Sequence, residues 1–394
     1  MLIGLVGKPS CGKSTFFKAA TLADVLIAAY PFATIKPNHG VGYVKVDCID
    51  KELGVQCQPS KGYCVDGKRF VPVELLDVAG LVKGASEGKG LGNQFLSDLT
   101  NADALIHIVD ISGETDAEGK ETKGYNPIQD IEMLENELDL WYLGILQKVW
   151  KAFAKTVQTA KKEFAVSIAT QFSGLKVNED DVKSVLRKLE YDAEKPADWN
   201  EEQLKAFAHE LRHLSKPMII AANKCDRPAS KENLANLKNA YPELIIVPCS
   251  SDSELALREA SNHEIIKYIP GDKDFKINED KINEKQKNAL DLIKKNVLDV
   301  YESTGVQEVL NKVVFDLLKY LAIFPAGSKL TDSKGNILPD CFLLPPESTA
   351  LDFAYHLHSD IGDNFVKAID IKTKQAVGKE HKLKNRDGLE IMTR

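Results

Sequence analysis

Eight residues near the start of the chain, Gly7-Lys8-Pro9-Ser10-Cys11-Gly12-Lys13-Ser14, have types and spacing suited to gripping a polyphosphate. They fit G-x-x-x-x-G-K-[ST], the phosphate-binding loop. Glycines let the backbone curl until its N–H groups converge on phosphate oxygens. The N-terminus of the helix that follows adds partial positive charge. Lys13 reaches the β- and γ-phosphates, the Ser14 hydroxyl is a ligand for Mg²⁺, and Thr15 carries the loop into the helix. The plain alternative is a Gly-rich turn that matches by chance. The surroundings oppose it: Leu2 to Val6 is an apolar run of strand length, and Thr15 to Ala20 reads as the start of a helix.

A second group sits at the end of another apolar run, Met218 to Ala222, in Asn223-Lys224-Cys225-Asp226. In this N-x-x-D pattern the Asp226 carboxylate accepts two hydrogen bonds from the N1–H and exocyclic amine of guanine. Adenine lacks that donor pair and leaves the charge unpaired. Lys224 lies across the base plane, and Asn223 binds the base edge or braces the loop. Between these groups, Val73 to Gly80 is a strand ending in D-x-x-G. Asp77 holds Mg²⁺ through a water, and the Gly80 N–H senses the γ-phosphate. Thr34, between the first loop and Asp77, completes the Mg²⁺ shell. The metal set is therefore Ser14, Thr34 and Asp77, and the catalytic set Lys13, Thr34 and Gly80. Ser250 and Ser251 follow the strand Leu244 to Val247, where backbone contacts to the guanine oxygen are expected; a plain strand-end turn is the rival reading.

The run DVAGLVKGASEGKGLGNQFLSDL, Asp77 to Leu99, together with YPFATIKPNHG, Tyr30 to Gly40, resembles the Obg-related GTPases, in particular the YchF branch and its archaeal relatives. The stretch from about Lys319 to Arg394 resembles a TGS domain, a ubiquitin-like β-grasp. The resemblance implies an α/β P-loop NTPase of the Ras-like kind, with Mg²⁺ and GTP, acting as a ribosome- or RNA-associated switch in translation. Contacts to that partner would run through the TGS domain and a helical insertion. Three residues depart from neighbouring patterns. YchF proteins favour ATP, whereas Asp226 here restores the guanine pattern. Leu81 stands where Ras-like switches carry a water-orienting Gln. Ser10 stands where potassium-activated GTPases carry Asn. Slow intrinsic hydrolysis follows, stimulated by a large partner. Two other functions stay open: an ATPase, and a GTP-sensing adaptor with negligible hydrolysis.

The elements that must position these residues can be outlined. At 394 residues, 43% hydrophobic and 28% charged, the chain is long enough for two or three globular domains. No apolar run is long enough to span a bilayer, and the strand at Leu2 leaves no room for a leader. A cytoplasmic monomer is expected. The net charge of −7 argues against a general nucleic-acid coat protein. The nucleotide-binding domain is placed at 1–115 plus 201–318, the helical insertion at 116–200 and the TGS domain at 319–394. Ile128, Ile131, Leu134, Leu138, Trp141, Ile145, Val149 and Phe153 recur at helical spacing. Shorter helices start at Asn178 and Asn200 as caps. Further helices are predicted over 281–302 and Val306 to Leu318. Lys148, Lys151, Lys155, Lys161 and Lys162 are either a solvated face or an RNA contact, the first being preferred. Past Leu318, Lys334-Gly335-Asn336 and Asp387-Gly388 read as hairpin turns, and Ser348 to His358 as a helix. Residues 361–394 carry eight Lys/Arg against five Asp/Glu, which permits an RNA contact.

The seven cysteines are scattered and odd in number, against a disulfide framework. Cys48, Cys57 and Cys64, with His39 nearby, raise zinc. Their spacings are not of the paired C-x₂-C type, so small buried hydrophobes or free thiols are preferred.

Overall fold

The computed structural model describes residues 1–21, 39–78, 84, 98–327, 329–332 and 334–394. Its centre is a mixed sheet in the order β2-β4-β1-β5-β6-β7, with β3 pairing β4. The strands are β1 (Leu2–Val6), β2 (His39–Asp47), β3 (Tyr63–Val65), β4 (Lys68–Asp77), β5 (Ala104–Asp110), β6 (Met218–Asn223) and β7 (Ile246–Pro248). β1 runs parallel to β4 and β5, β5 to β6, and β6 to β7, while β2 and β3 are antiparallel to β4.

Every residue of β5 and β6 is buried, as expected of parallel strands covered on both faces. Alternate side chains enter different cores. Ile106, Ile108, Ile219 and Ala221 pack with Phe16 and Ala19 of the first helix, α1 (Lys13–Thr21), and with Val309, Leu310 and Val313. Leu105, Val109, Ile220 and Ala222 face Ile131, Leu134 and Leu138 instead, with Leu234 and Leu237.

Ile128–Ala160 is one helix of 33 residues, about 50 Å long at 1.5 Å per residue. Its first turns pack on the sheet. Further along, Leu146, Trp150, Ala154 and Val157 build a separate core with Phe164, Ile168, Val182, Val185, Phe207 and Leu211. Asn178 and Asn200 do cap the helices Glu179–Leu189 and Glu201–Ser215, each in a reciprocal box with Asp181 or Gln203. Helix Phe164–Gln171 has no counterpart in the sequence reading, because its eight residues are too few to show a period. Helix Glu201–Ser215, which the sequence boundary at 200 assigned to the nucleotide-binding unit, packs Leu204, Phe207 and Leu211 into the helical core. The predicted helices near 281–302 and 306–318 form, and each widens to a π-turn part-way, at Lys294–Leu298 and Lys312–Leu317.

The C-terminal unit is a five-stranded sheet, β11-β10-β14-β12-β13, built from β10 (Leu321–Pro325), β11 (Phe342–Leu344), β12 (Phe365–Asp370), β13 (Ala376–Val377) and β14 (Gly388–Thr393). The helix Ala350–Leu357 is capped by Thr349 in a box with Asp352. Asp387-Gly388 is not a hairpin loop. β14 lies between β10, to which it is parallel, and β12, so the chain must cross to reach it, and a turn from Lys384 to Asp387 delivers it there. This unit is welded to the first. Ala322, Phe324, Leu338 and Ile371 share a core with Val44, Val46 and Ile49.

His107 of β5 is fully buried beside the phosphate-loop end of the sheet, and its Nδ1 has no hydrogen-bond partner among the described residues. Burial, and secondarily the Lys8 charge, pull it from 6.5 down to about 3. Below the ordinary value the unfolded chain takes a proton that the folded chain refuses, so stability falls as pH drops from 6.5 toward 3 and this contribution vanishes above 6.5. Urea midpoints should register about 2 kcal/mol of loss from this group between neutrality and roughly pH 5. In His107→Leu that share of the slope should disappear; an unchanged slope would refute the assignment.

Candidate functional site

The C-terminal ends of β1, β4, β5, β6 and β7 converge on one edge of the sheet, where open α/β sheets bind ligands. The first loop runs from β1 into α1. It surrounds a cavity of about 390 Å³ lined by Lys8, Pro9, Ser10, Gly12, Lys13, Ser14 and Thr15. Two residues take left-handed backbone there, Ser10 (φ 61°) and Gly12 (φ 93°). Gly12 is required for a second reason: an added Cβ would collide with the Asn223 side-chain amide.

Parallel pairing sets Asp77 opposite Leu5 and so brings it to the loop. Lys13 Nζ forms an ion pair with Asp77 Oδ1, and Ser14 Oγ donates to Asp77 Oδ2 at 3.4 Å. Side-chain exposures of 11% for Lys13 and 16% for Asp77 leave this pair reachable from solvent. A hydroxyl and a carboxylate at that spacing are hard oxygen donors of the kind Mg²⁺ takes.

Lys8 plays a different part from its neighbours. Its buried ammonium pairs with Asp130 at 3.0 Å, donates to the Thr115 carbonyl at 2.8 Å and lies 4.0 Å from the centre of the Tyr125 ring. Its side chain therefore anchors the loop to 115–130, and only its backbone remains for an anion. Burial raises the Asp130 carboxyl, although Lys8 opposes the shift. Cys11 is sealed in, and burial pushes its thiol up to about 11.

On the other side, Asn223 braces. Its Nδ2 donates to the Cys11 carbonyl at 2.9 Å, and its Oδ1 accepts from the Ser251 backbone N–H at 3.0 Å and the Ser251 hydroxyl at 2.9 Å. Lys224 takes left-handed backbone (φ 63°) and pairs at 2.8 Å with Asp110, the last residue of β5. Burial works against Asp110 ionising, but hydrogen bonds from Lys224, Ser112 and Thr115 outweigh it and hold the carboxyl below its usual range. Asp226 accepts from the Ser250 hydroxyl at 2.9 Å through Oδ1; among the described residues its Oδ2 has only Arg227, at 3.7 Å. The structure thus brings the 7–15 loop, Asp77, 223–226 and 250–251 together on one edge. Thr34, Gly80 and Leu81 lie outside the described residues.

Asp110, Thr115 and Asp130 were missed by the sequence reading. Asp110 did leave a trace: it ends a strand that is apolar but for His107, and the structure pairs it in register with Asn223.

Residues 2–141 match the family model described as 50S ribosome-binding GTPase. Residues 221–327 match that of the Obg-like GTPase YGR210-like, G4 motif-containing domain, and residues 323–393 that of the TGS domain. The chain is 46% identical to an uncharacterized GTP-binding protein of Methanocaldococcus jannaschii, over 100% of this chain and 99% of that one. It is 31% identical to the ribosome-binding ATPase YchF of Bacillus subtilis, over 93% of this chain and 87% of that one. The crystal structure of a GTP binding protein from Pyrococcus horikoshii superposes with a TM-score of 0.82 at 40% identity, covering 100% of both chains.

Asn223→Ala should leave the Cys11 carbonyl and the Ser251 N–H buried and unpaired, at a cost of about 2–4 kcal/mol. The expected result is a lower melting temperature and a smaller thermal shift on adding GTP. Ser251→Ala, which removes one arm only, should cost less. Equal behaviour of both variants and the parent would show that the brace is dispensable.

Proposed function

The chain belongs to the Obg-like GTPases of the YchF/YGR210 family that carry a C-terminal TGS domain, and from that premise we propose that it binds GTP with Mg²⁺, hydrolyses it slowly to GDP and phosphate, and serves as a ribosome- or RNA-associated switch in the cytoplasm. The observation that carries the guanine reading is the Asp226 carboxylate. One oxygen is fixed by Ser250, and the other keeps only a long contact to a half-exposed Arg227. An anchored carboxylate with an oxygen to spare suits the two donors on the guanine edge and disfavours adenine. The B. subtilis relative is named an ATPase, so the nucleotide is the point to test.

In this reading the loop amides and Lys13 hold the β- and γ-phosphates, and Ser14, Asp77 and Thr34 hold Mg²⁺. Mg²⁺, when bound, neutralises charge on the phosphoryl oxygens. Lys13 adds a second positive group on the transferring phosphoryl. Gly80 follows the γ-phosphate through its N–H. Residues 1–115 and 201–318 form the nucleotide-binding unit, its helix Glu201–Ser215 packing against the helical insertion. The helical insertion, 116–200, and the TGS domain, 319–394, would meet the partner. Lys148, Lys151, Lys155, Lys161 and Lys162 are all exposed on or just past the long helix.

Competition binding of GTP against ATP decides the nucleotide. Asp226→Asn should weaken GTP about 10- to 100-fold and leave ATP unchanged, as expected for losing charge-assisted hydrogen bonds. Equal affinity of the parent for ATP would favour the ATPase reading. Lys13→Ala should abolish phosphate release, and release that persists in it would refute the assignment. Co-sedimentation with ribosomes in GDP against a slowly hydrolysed GTP analogue tests the partner; identical sedimentation in both states would overturn the switch.

A further inference from the structure

At the end of β4 remote from the phosphate loop, three cysteines and a carboxylate meet. The first residues of β4 lie between β2 and β3: Arg69 pairs with Val46 on one side and Cys64 on the other. Cys48 follows β2 directly, and residues 48–62 loop back so that Asp50 and Cys57 reach the same point. The ligand atoms of Cys48, Asp50, Cys57 and Cys64 all lie within 4.8 Å of one another. His39, which the sequence put nearby, begins β2 at the opposite end, about 30 Å of strand away.

We propose that Cys48, Cys57, Cys64 and Asp50 bind one structural Zn²⁺ that fastens the 48–64 segment beneath the TGS domain. Three features carry this. The first is spacing. Cys48 Sγ and Cys57 Sγ are 3.7 Å apart, and Cys64 Sγ is 3.9 Å from Asp50 Oδ2. Tetrahedral zinc with bonds of about 2.3 Å to sulfur sets its ligands about 3.8 Å apart. A disulfide would need the sulfurs at about 2.05 Å, and the thiols are free. An iron–sulfur cluster would spread its thiolates over separate irons.

The second feature is charge. Asp50 is 0% exposed and has no Lys or Arg partner among the described residues. Its Oδ1 accepts from Lys51 N at 2.7 Å and its Oδ2 from Cys57 N at 3.3 Å. A buried carboxylate without a counter-ion is costly, and a cation at this point removes the cost. Arg69 is unbalanced in the opposite sense. It is 1% exposed, has no carboxylate partner among the described residues, and leaves its Nε without an acceptor. A zinc centre with three thiolates and a carboxylate is anionic and balances it.

The third feature is what the centre supports. Gln58 N donates to the Ile337 carbonyl and Ser60 N to the Pro339 carbonyl, each at 2.8 Å, from the loop between Cys57 and Cys64. Arg69 donates to the carbonyls of Leu338, at 3.1 Å, and Pro339, at 2.6 Å. These bonds form much of the polar seam with the TGS domain, and a metal would hold their donors in place.

The test uses the full untagged chain purified without chelator, with zinc measured by elemental analysis against protein concentration. About one zinc per chain is expected, retained through gel filtration. After stripping, Co²⁺ should rebind at about one equivalent with thiolate charge-transfer and tetrahedral d–d absorption. Cys64→Ser and Asp50→Ala should lower the metal content, and Cys341→Ser should not. The stripped chain should exchange amide hydrogens faster at 51–62 and 337–341. Folded parent protein with under about 0.1 zinc per chain that also fails to bind Co²⁺ would overturn the proposal. So would a Cys48–Cys57 disulfide by mass spectrometry, or zinc that persists undiminished in every ligand variant. Should the variants fail to fold, the parent's zinc and cobalt stoichiometries decide.

Discussion

The Asn223 amide holds the two halves of the nucleotide site at a fixed separation. Through Nδ2 it grips the phosphate loop at Cys11, and through Oδ1 it grips the loop after β7 at Ser251. Both partners are backbone groups that helix geometry alone leaves unsatisfied or weakly directed. A side chain that satisfies a donor and an acceptor from distant segments leaves little play between them. Asp226 is only three residues further on, and its Ser250 partner adjoins Ser251, so the carboxylate is aimed by the same two loops. Gly12 completes the arrangement from below, since a side chain there would displace the amide.

The motifs were legible because their chemistry demands particular residues at fixed spacing and because the parallel sheet gathers strand ends without further help. Leu5 and Asp77, or Asp110 and Asn223, are far apart in the chain and adjacent in register. Long periodic segments were legible too, as with Ile131, Leu134 and Leu138. What escaped were pairings that only tertiary structure creates. The pairing of Lys8 with Asp130 looks in sequence like an unspecified motif position and a helix-start acid, yet both are buried together. The packing of helix Glu201–Ser215 was hidden for a related reason: capping at Asn200 says where a helix starts, not which core its apolar face will enter. Asp387-Gly388 has the composition of a two-residue hairpin, but the neighbours of β14 are set by sheet topology and not by the turn.

The cysteine cluster shows the same limit from the other side. The intervals between Cys48, Cys57 and Cys64 look wrong for zinc when metal sites are sought as paired C-x₂-C knuckles. Here a three-stranded corner does the pairing. β2 and β3 both lie against the start of β4, so residues in register with, or just past, Arg69 converge regardless of how many residues separate them. Asp50 joins because the chain turns back immediately after Cys48, as the hydrogen bond from Cys57 N to its carboxylate shows.

β4 therefore carries two differently built clusters of ligand-type side chains at its ends. At Asp77 the donors are oxygens, partly open to solvent, and the carboxylate is paired with Lys13. Such a set suits a hard ion. At Cys57 the donors are mainly sulfur and buried except for the half-buried Cys64, and the loop after Cys57 donates backbone N–H groups to the TGS seam. Such a set suits a softer ion. The ten residues of β4 join the two ends, paired with β2 along most of their length and on the other side with β3 at the start and β1 at the end. The strand that carries Asp77 at one end thus carries, at the other, the Arg69 that donates to the Leu338 and Pro339 carbonyls of the TGS seam.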